Sequence, residues 1–283
     1  MPTKRLYYDD PCLRDFACQV LHCEPAVRNS HSAPLYEVIT DVTAFYPNSG
    51  GQPSDRGTLA GADVVELGIP FSDPLADGAV NQEAALRALR HGASLRDVLG
   101  MVKMLRQRSH VPIVLFTYFN PVHSYGLDRF GPDCRDAGVD GVLCVDLPPE
   151  EAGEYKASLD ALDIATIFLL APTSTDKRIE TVSRHCTGFV YYVSRTGVTG
   201  EQARVGEDVR AMVAKIKQHT DKPVAVGFGI SKPEHAAEIA RYADGVIVGS
   251  AIVRMIGELG DSPETAPKVG EFAKSLADAA KHA

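Results

Sequence analysis

The chain has 283 residues, 45% of them hydrophobic, and a formal net charge of −8. That length allows one large or two small domains with a substantial core. The negative charge does not attract phosphate backbones, so no nucleic-acid partner is expected, and no apolar run approaches the roughly 20 residues of a bilayer span.

Residues 1–60 read differently from the rest of the chain. The opening "MPTKRLYYDDPCLRDF" lacks the apolar stretch of a secretion signal, so a cytoplasmic protein is expected. The six cysteines, Cys12, Cys18, Cys23, Cys134, Cys144 and Cys186, show no C-x-x-C spacing, and three of them fall in apparent core elements. They read as reduced thiols of an intracellular protein. Cys18, His22 and Cys23 lie close enough in sequence to touch a metal, but chance placement on an amphipathic segment explains them as well. "PLYEVITDVTAFYP" reads as a strand, and "NSGGQPSDRGTLAGA" after it has no helical pattern.

From residue 63 short apolar runs alternate with segments of helical period. Strands are predicted at 63–69, 112–119, 141–148, 165–172, 188–195, 223–230 and 245–252. The helices between them include "NQEAALRALRHG", "LRDVLGMVKMLRQRS", "EEAGEYKASLDALD", "TDKRIETVSRHC", "GEDVRAMVAKIKQHT" and "PEHAAEIARYA". Ser94 with Asp97 makes a capping pair for the second of these. Near-continuous apolar strands separated by amphipathic helices indicate a parallel sheet covered by helices. Polar and glycine-bearing loops follow the strands all around, which favours a (β/α)8 TIM barrel over an open doubly wound sheet. Seven strands are one short of eight, so the barrel is expected to lack its first βα unit. A non-homologous, β-prone segment stands in front of it.

Two acids stand out in "VVELGIPFSDPLADG". Glu66 lies in an apolar run near a strand's C-terminal end, where barrel active sites form. Burial should raise its pKa and suit it to proton transfer. Asp77 lies eleven residues on, in a Pro- and Gly-punctuated loop. Two acids in unlike environments suit split roles. The alternative is that Glu66 pairs with a core arginine and Asp77 is a turn residue. "GVTG" (197–200), "GFG" (227–229) and "VGSA" (248–251) each follow an apolar strand, and converging backbone N–H groups there would make a phosphate nest.

"VELGIPFSDPLADG", followed in order by "TYFNP", "VDLP", "LAPTST", "YYVSRTGVTG", "VGFGIS" and "VGSAIV", resembles the tryptophan synthase alpha chain family over about residues 60–283. The resemblance implies a lyase that splits indole-3-glycerol phosphate into indole and glyceraldehyde 3-phosphate. It makes Glu66 the acid/base and Asp77 the partner of the indole N–H, with Thr199 orienting Asp77. Phe116, Tyr118, Leu169, Tyr191 and Phe228 would line the indole pocket, although such residues also fill barrel cores. Gly200, Gly229, Gly249 and Ser250 would hold the phosphate. No cofactor and no metal is expected in this chain. The implied partner is the beta chain, in an alpha2-beta2 tetramer, which carries pyridoxal phosphate and meets positions Asp73, Asn120 and Pro148.

The family's usual opening helix, first strand and Gly-Asp-Pro loop are missing. Instead, "RLYYDDPCLRDF" and "VTAFYPNSGGQPSDRGTLAG" resemble the start of alanyl-tRNA editing proteins. Those hold zinc through H-x-x-x-H and C-x-x-x-H pairs, and this chain has no H-x-x-x-H. The sequence therefore divides into an editing-like segment, 1–60, and a barrel, 61–283, joined within "TLAGADV" as in a chimera. This division leaves two other functions open: a barrel that binds phosphate or the beta chain without turnover, or an editing deacylase fragment.

Overall fold

The computed structural model describes residues 4–5, 20–26, 35–40, 42–43, 62–194, 202–227 and 229–283. Among these, β1 (Lys4–Arg5) pairs in parallel with β4 (Val42–Thr43), and β2 (Val20–Ala26) pairs antiparallel with β3 (Leu35–Thr40). The main sheet then runs β5 (Val65–Gly68), β6 (Ile113–Thr117), β7 (Gly141–Cys144), β8 (Ala165–Leu170), β9 (Val190–Val193), β10 (Val224–Gly227) and β11 (Gly245–Ile247). Its seven strands lie side by side in sequence order, and every pairing is parallel.

Crossovers between successive neighbours, which in parallel sheets are right-handed as a rule, put the helices on one face and curl the sheet into a barrel wall. The helices are α1 (Ala79–Arg90), α2 (Leu95–Arg106), α3 (Phe119–Tyr125), α4 (Leu127–Ala137), α5 (Gly153–Asp160), α6 (Asp176–His185), α7 (Gln202–Lys217), α8 (Pro233–Ala240), α9 (Ser250–Leu259) and α10 (Thr265–Lys281). The expected barrel lacking one unit is what the sheet forms: β5 and β11 are its edges, and no described strand joins them. The strand read in "PLYEVITDVTAFYP" does not fill that gap, since β3 bonds to β2. A hairpin partner a few residues away closes a shorter loop than the barrel edge does. The gap is bridged on its outside by helices instead. α1 packs on α9, and Lys281 Nζ lies 2.8 Å from Asp63 Oδ1.

Side chains alternate between the two faces of each strand. Outward residues such as Leu115, Val142, Phe168, Tyr192 and Val226 join the helices in the large core. Inward residues Val114, Leu143, Ile167 and Tyr191 form a second, smaller cluster inside the barrel. Burial fades toward the gap: β7 is buried throughout, whereas β11 has no fully buried residue and neither does α9.

At the N-terminal rim one device recurs. Asp140, just before β7, accepts the Ile113 N–H at 2.7 Å and pairs with Arg106 of α2. Asp244, just before β11, accepts the Val224 N–H at 2.9 Å and pairs with Lys217 of α7 at 2.8 Å. Each aspartate ties the start of the preceding strand to the helix that leads into it. Burial alone would raise the Asp244 pKa, but bonds from Lys217 and the Val224 N–H outweigh it and hold the carboxyl below its usual range.

Several elements differ from the sequence reading. The predicted strand 245–252 stops at Ile247, and "SAIV" begins α9 behind Gly249. The run predicted at 141–148 stops at Cys144. Tyr118 caps the N-terminus of α3, so Phe119 is helical although predicted as the last residue of a strand. α4 carries Pro132 inside it, which masks its helical pattern. The Ser94–Asp97 pair caps α2 as expected, with the Ser94 N–H donating to Asp97 Oδ2 at 2.9 Å.

The gap has a measurable signature. Amides of β5 and β11 are expected to exchange hydrogen far faster than those of β7 and β8, because unpaired edges open locally without global unfolding. Equal protection across the four strands, by mass spectrometry, would show the edges to be covered.

Candidate active site

All seven strands point the same way, so their C-terminal ends gather at one rim. Glu66 pairs in register with Val114, an inward residue. Glu66 therefore faces the barrel interior, one residue short of outward-facing Leu67. Among the described residues no lysine or arginine neutralises it; the influences on its carboxyl are burial first and the Asp77 charge second, and together they push its pKa up to about 7. Among the described residues, then, Glu66 makes no core ion pair with arginine.

Asp77 sits in the β5–α1 loop above that strand end. Its N–H donates to the Pro74 carbonyl at 3.0 Å, and its own carbonyl accepts from Gln82 Nε2 at 2.9 Å. Tyr118 Oη donates to Asp77 Oδ2 at 3.0 Å, while the Ala76 N–H donates to the same phenol oxygen at 3.0 Å. The loop thus holds Tyr118, and Tyr118 aims the carboxylate. Burial raises the Asp77 pKa, opposed by hydrogen bonds from Tyr118 and Asn81. The resemblance gave Tyr118 only a wall position, and the structure adds this orienting bond. Phe71 stacks at a tilt on the Tyr118 ring, centroids 5.2 Å apart.

Phe116 and Leu169 lie one inward position above Val114 and Ile167, and both are half-buried at the top of the inner cluster. Tyr191 pairs in register with Leu169 and senses the charges of both Glu66 and Asp77 after burial, all of which raise its pKa. Its ring covers Gly227, where a Cβ would come within 3.0 Å of the ring edge. Phe116, Leu169 and Tyr191 thus form a floor beside the two acids, with buried Val114, Leu143 and Ile167 closing the barrel beneath.

Gly227 and Ile247 are register partners, so Gly229 and Gly249 each stand two residues past the same sheet position. Gly229 has φ +56°, a conformation that suits glycine. Gly249 is the N-cap of α9, a Cβ there would meet nothing within 4 Å, and Ser250 begins the helix. The first-turn N–H groups of α9 therefore open onto this rim, an arrangement that favours an anion. Thr199, Gly200 and Phe228 lie outside the described residues.

Two polar atoms at this rim were not singled out from sequence. Asn81 Oδ1 and Ser194 Oγ are buried without a hydrogen-bond partner among the described residues. Asn81 falls four residues after Asp77, a spacing that signals contact at a helix start. Ser194 follows β9 and gave no such signal. Among the described residues no cluster of His, Cys, Asp or Glu is placed to hold a metal. Cys134, Cys144 and Cys186 are buried free thiols, and burial pushes Cys186 up to about 11. Cys18 lies outside the described residues. No described helix is long and apolar enough to cross a membrane.

The sequence profile of the tryptophan synthase alpha chain family matches residues 36–281. The tryptophan synthase alpha chain of Geobacter sulfurreducens is 49% identical over 86% of this chain and 92% of its own length. The crystal structure of tryptophan synthase subunit alpha from Legionella pneumophila superposes with a TM-score of 0.72 at 38% identity, covering 79% of this chain and 84% of that one. A chain of the tryptophan synthase complex from Pyrococcus furiosus gives a TM-score of 0.68 at 40% identity, covering 75% and 85%. A curled parallel sheet with two acids facing a glycine-lined rim, matched over this length at this identity, places the chain in the tryptophan synthase alpha chain family.

Proposed function

We propose that Glu66 and Asp77 carry the lyase reaction of the family in this chain, splitting indole-3-glycerol phosphate into indole and glyceraldehyde 3-phosphate for tryptophan biosynthesis. The observation that carries this reading is a buried Glu66, without a cation among the described residues, held near neutral pKa beside Asp77. The bond that breaks joins indole C3 to the first glycerol carbon. Its electrons return to the ring, so C3 must gain a proton and the adjacent hydroxyl must lose one. Protonated Glu66 gives its proton to C3, and the resulting carboxylate takes the hydroxyl proton as the bond cleaves, ending as it began. Ionised Asp77, aimed by Tyr118, accepts the indole N–H and stabilises the positive charge that C3 protonation puts on the ring. Phe116, Leu169 and Tyr191, with Phe228, cover the indole faces. Gly229, Gly249 and Ser250 with the α9 amides, and Gly200 from the preceding loop, receive the phosphate. The resemblance gives Thr199, outside the described residues, the role of orienting Asp77. The step needs no cofactor or metal in this chain, because the carbon–carbon bond breaks with only two proton transfers to support it.

Glu66→Gln should lower kcat by about 10²–10⁴. The pH profile of kcat/KM for the unmodified chain should fall on the alkaline side near pH 7, because the productive free form has Glu66 protonated, and on the acid side as Asp77 protonates. A rate unchanged by Glu66→Gln would leave a barrel that binds without turnover. A profile flat from weakly acidic to alkaline pH would remove Glu66 from the proton path.

We infer that the same rim docks the tryptophan synthase beta chain, as alpha2-beta2, with pyridoxal phosphate held in that partner. Asp73 and Asn120 are exposed there, Pro148 is half-buried, and Leu75 between them is 90% exposed on the Asp77 loop. An apolar side chain presented so fully at a functional rim fits a protein partner. Leu75→Asp should weaken beta-chain binding at least tenfold by titration calorimetry while lyase turnover of the chain alone changes little. Undiminished binding would place the interface elsewhere.

The division at residue 60, with an editing-like segment ahead of a barrel of separate origin, remains our reading. It is supported by "RLYYDDPCLRDF" and by the β2–β3 pairing apart from the barrel, while the family match itself begins at residue 36. A cytoplasmic location fits the buried free thiols. Limited proteolysis should cut near the junction and leave a folded 61–283 fragment. A fragment that unfolds once severed would join residues 36–60 to the barrel.

A further inference from the structure

Asn81 is the third residue of α1, and its first turn begins directly behind the Asp77 loop. Its side-chain amide lies near enough to the Asp77 carboxylate to hold that carboxyl's pKa down. The amide oxygen, Oδ1, is buried and has no partner among the described residues. The neighbouring Gln82 is already committed, its Nε2 donating to the Asp77 carbonyl at 2.9 Å. The helix gives Oδ1 no use either, since the N-cap is Gly78 and the Asn81 backbone N–H donates to the Gly78 carbonyl at 3.0 Å.

A carboxylate accepts only, so the end of the amide facing Asp77 is the NH2 group, and this assigns the orphaned end as oxygen. A buried amide oxygen without a donor weakens a fold by an amount worth roughly tenfold in an equilibrium, and native proteins leave few of them. Here the orphan stands beside the acid that meets the substrate. An arriving ligand with an N–H or O–H group would remove the penalty, and one lacking it would not. Discrimination by a buried polar group of this kind is steeper than discrimination by apolar fit.

We propose that Asn81 is a positioning and specificity residue: its amide NH2 fixes the Asp77 carboxylate, and its amide oxygen accepts a hydrogen bond from a donor on the indole–glycerol half of the substrate. The proposal rests on the lyase reading for the identity of that substrate. Two donors have the right chemistry, the indole N–H and the glycerol hydroxyls. Tyr118 also faces Asp77 and its hydrogen bond lowers that carboxyl's pKa, while the Asp77 charge raises those of Glu66 and Tyr191. Removing Asn81 takes away a bond that lowers the Asp77 pKa, so the carboxyl should titrate at higher pH.

The test uses the full chain with Asn81→Leu, close in size and without polar atoms, and Asn81→Asp, which keeps an acceptor and loses the donor. The Asp77 carboxyl is followed by 13C NMR in the free protein, and its midpoint should move up in both variants. Binding of indole-3-propyl phosphate, which has the N–H but no glycerol hydroxyl, should weaken about tenfold in Asn81→Leu if the indole N–H is the donor. If binding of that analogue is unchanged while KM for indole-3-glycerol phosphate rises about tenfold, the hydroxyl is the donor. Should Asn81→Leu fail to fold, Asn81→Asp carries the titration, and its analogue affinity should stay within a few-fold of the unmodified chain. An unmoved Asp77 midpoint, or unchanged analogue binding together with unchanged KM, overturns the proposal. Absence of turnover in the unmodified chain would count against the lyase reading alone, because the NMR and analogue-binding readouts do not require turnover.

Discussion

Everything at the candidate site depends on a carboxyl group kept inside a barrel with no cation among the described residues to answer it. Ionising an acid in apolar surroundings is costly, so the group holds its proton to unusually high pH. Glu66 meets that condition because register pairs it with Val114 on the inner face, and because Asp77 adds a like charge nearby. A one-residue slip of β5 would turn Glu66 outward among the helices and bring Leu67 or Val65 to the site instead. Its chemistry is therefore a consequence of strand register before it is a consequence of side-chain type.

The same register organises the rest of the rim. Parallel strands in sequence order put the Asp77 loop, the Tyr118 turn and the Gly229 and Gly249 turns at one end, while the Asp140 and Asp244 ties gather at the other. Chemistry and anchorage are separated by the length of the strands. Small residues make this possible at close quarters, since Gly227 leaves the space that the Tyr191 ring occupies.

Much of this was legible in the sequence. Seven apolar runs gave the seven strands and hence the shared rim, and the placing of Glu66 and Asp77 at the end of the first run gave the acids. The helix α9 was not legible, because "GSAIV" continues an apolar run and only the backbone turn at Gly249 ends the strand. α4 hid behind Pro132 and Gly131. The bond from Tyr118 to Asp77 joins residues 41 apart in sequence, a meeting set by tertiary packing that no local pattern encodes. The pairing of β2 with β3 is local, but β2 was not legible because the segment holding His22 and Cys23 was read as amphipathic rather than as a strand.

The bridging of the gap by α1, α9 and α10 carries a consequence for biosynthesis of the chain. The contact between Asp63 and Lys281 joins positions more than two hundred residues apart. While the ribosome is still translating the last helix, the β5 edge and its flanking α1 have no counterpart, and long-range closure of this kind is slow and aggregation-exposed. The clasp can shut only once Lys281 has emerged from the ribosome, so the nascent barrel keeps one side bare until α10 is made.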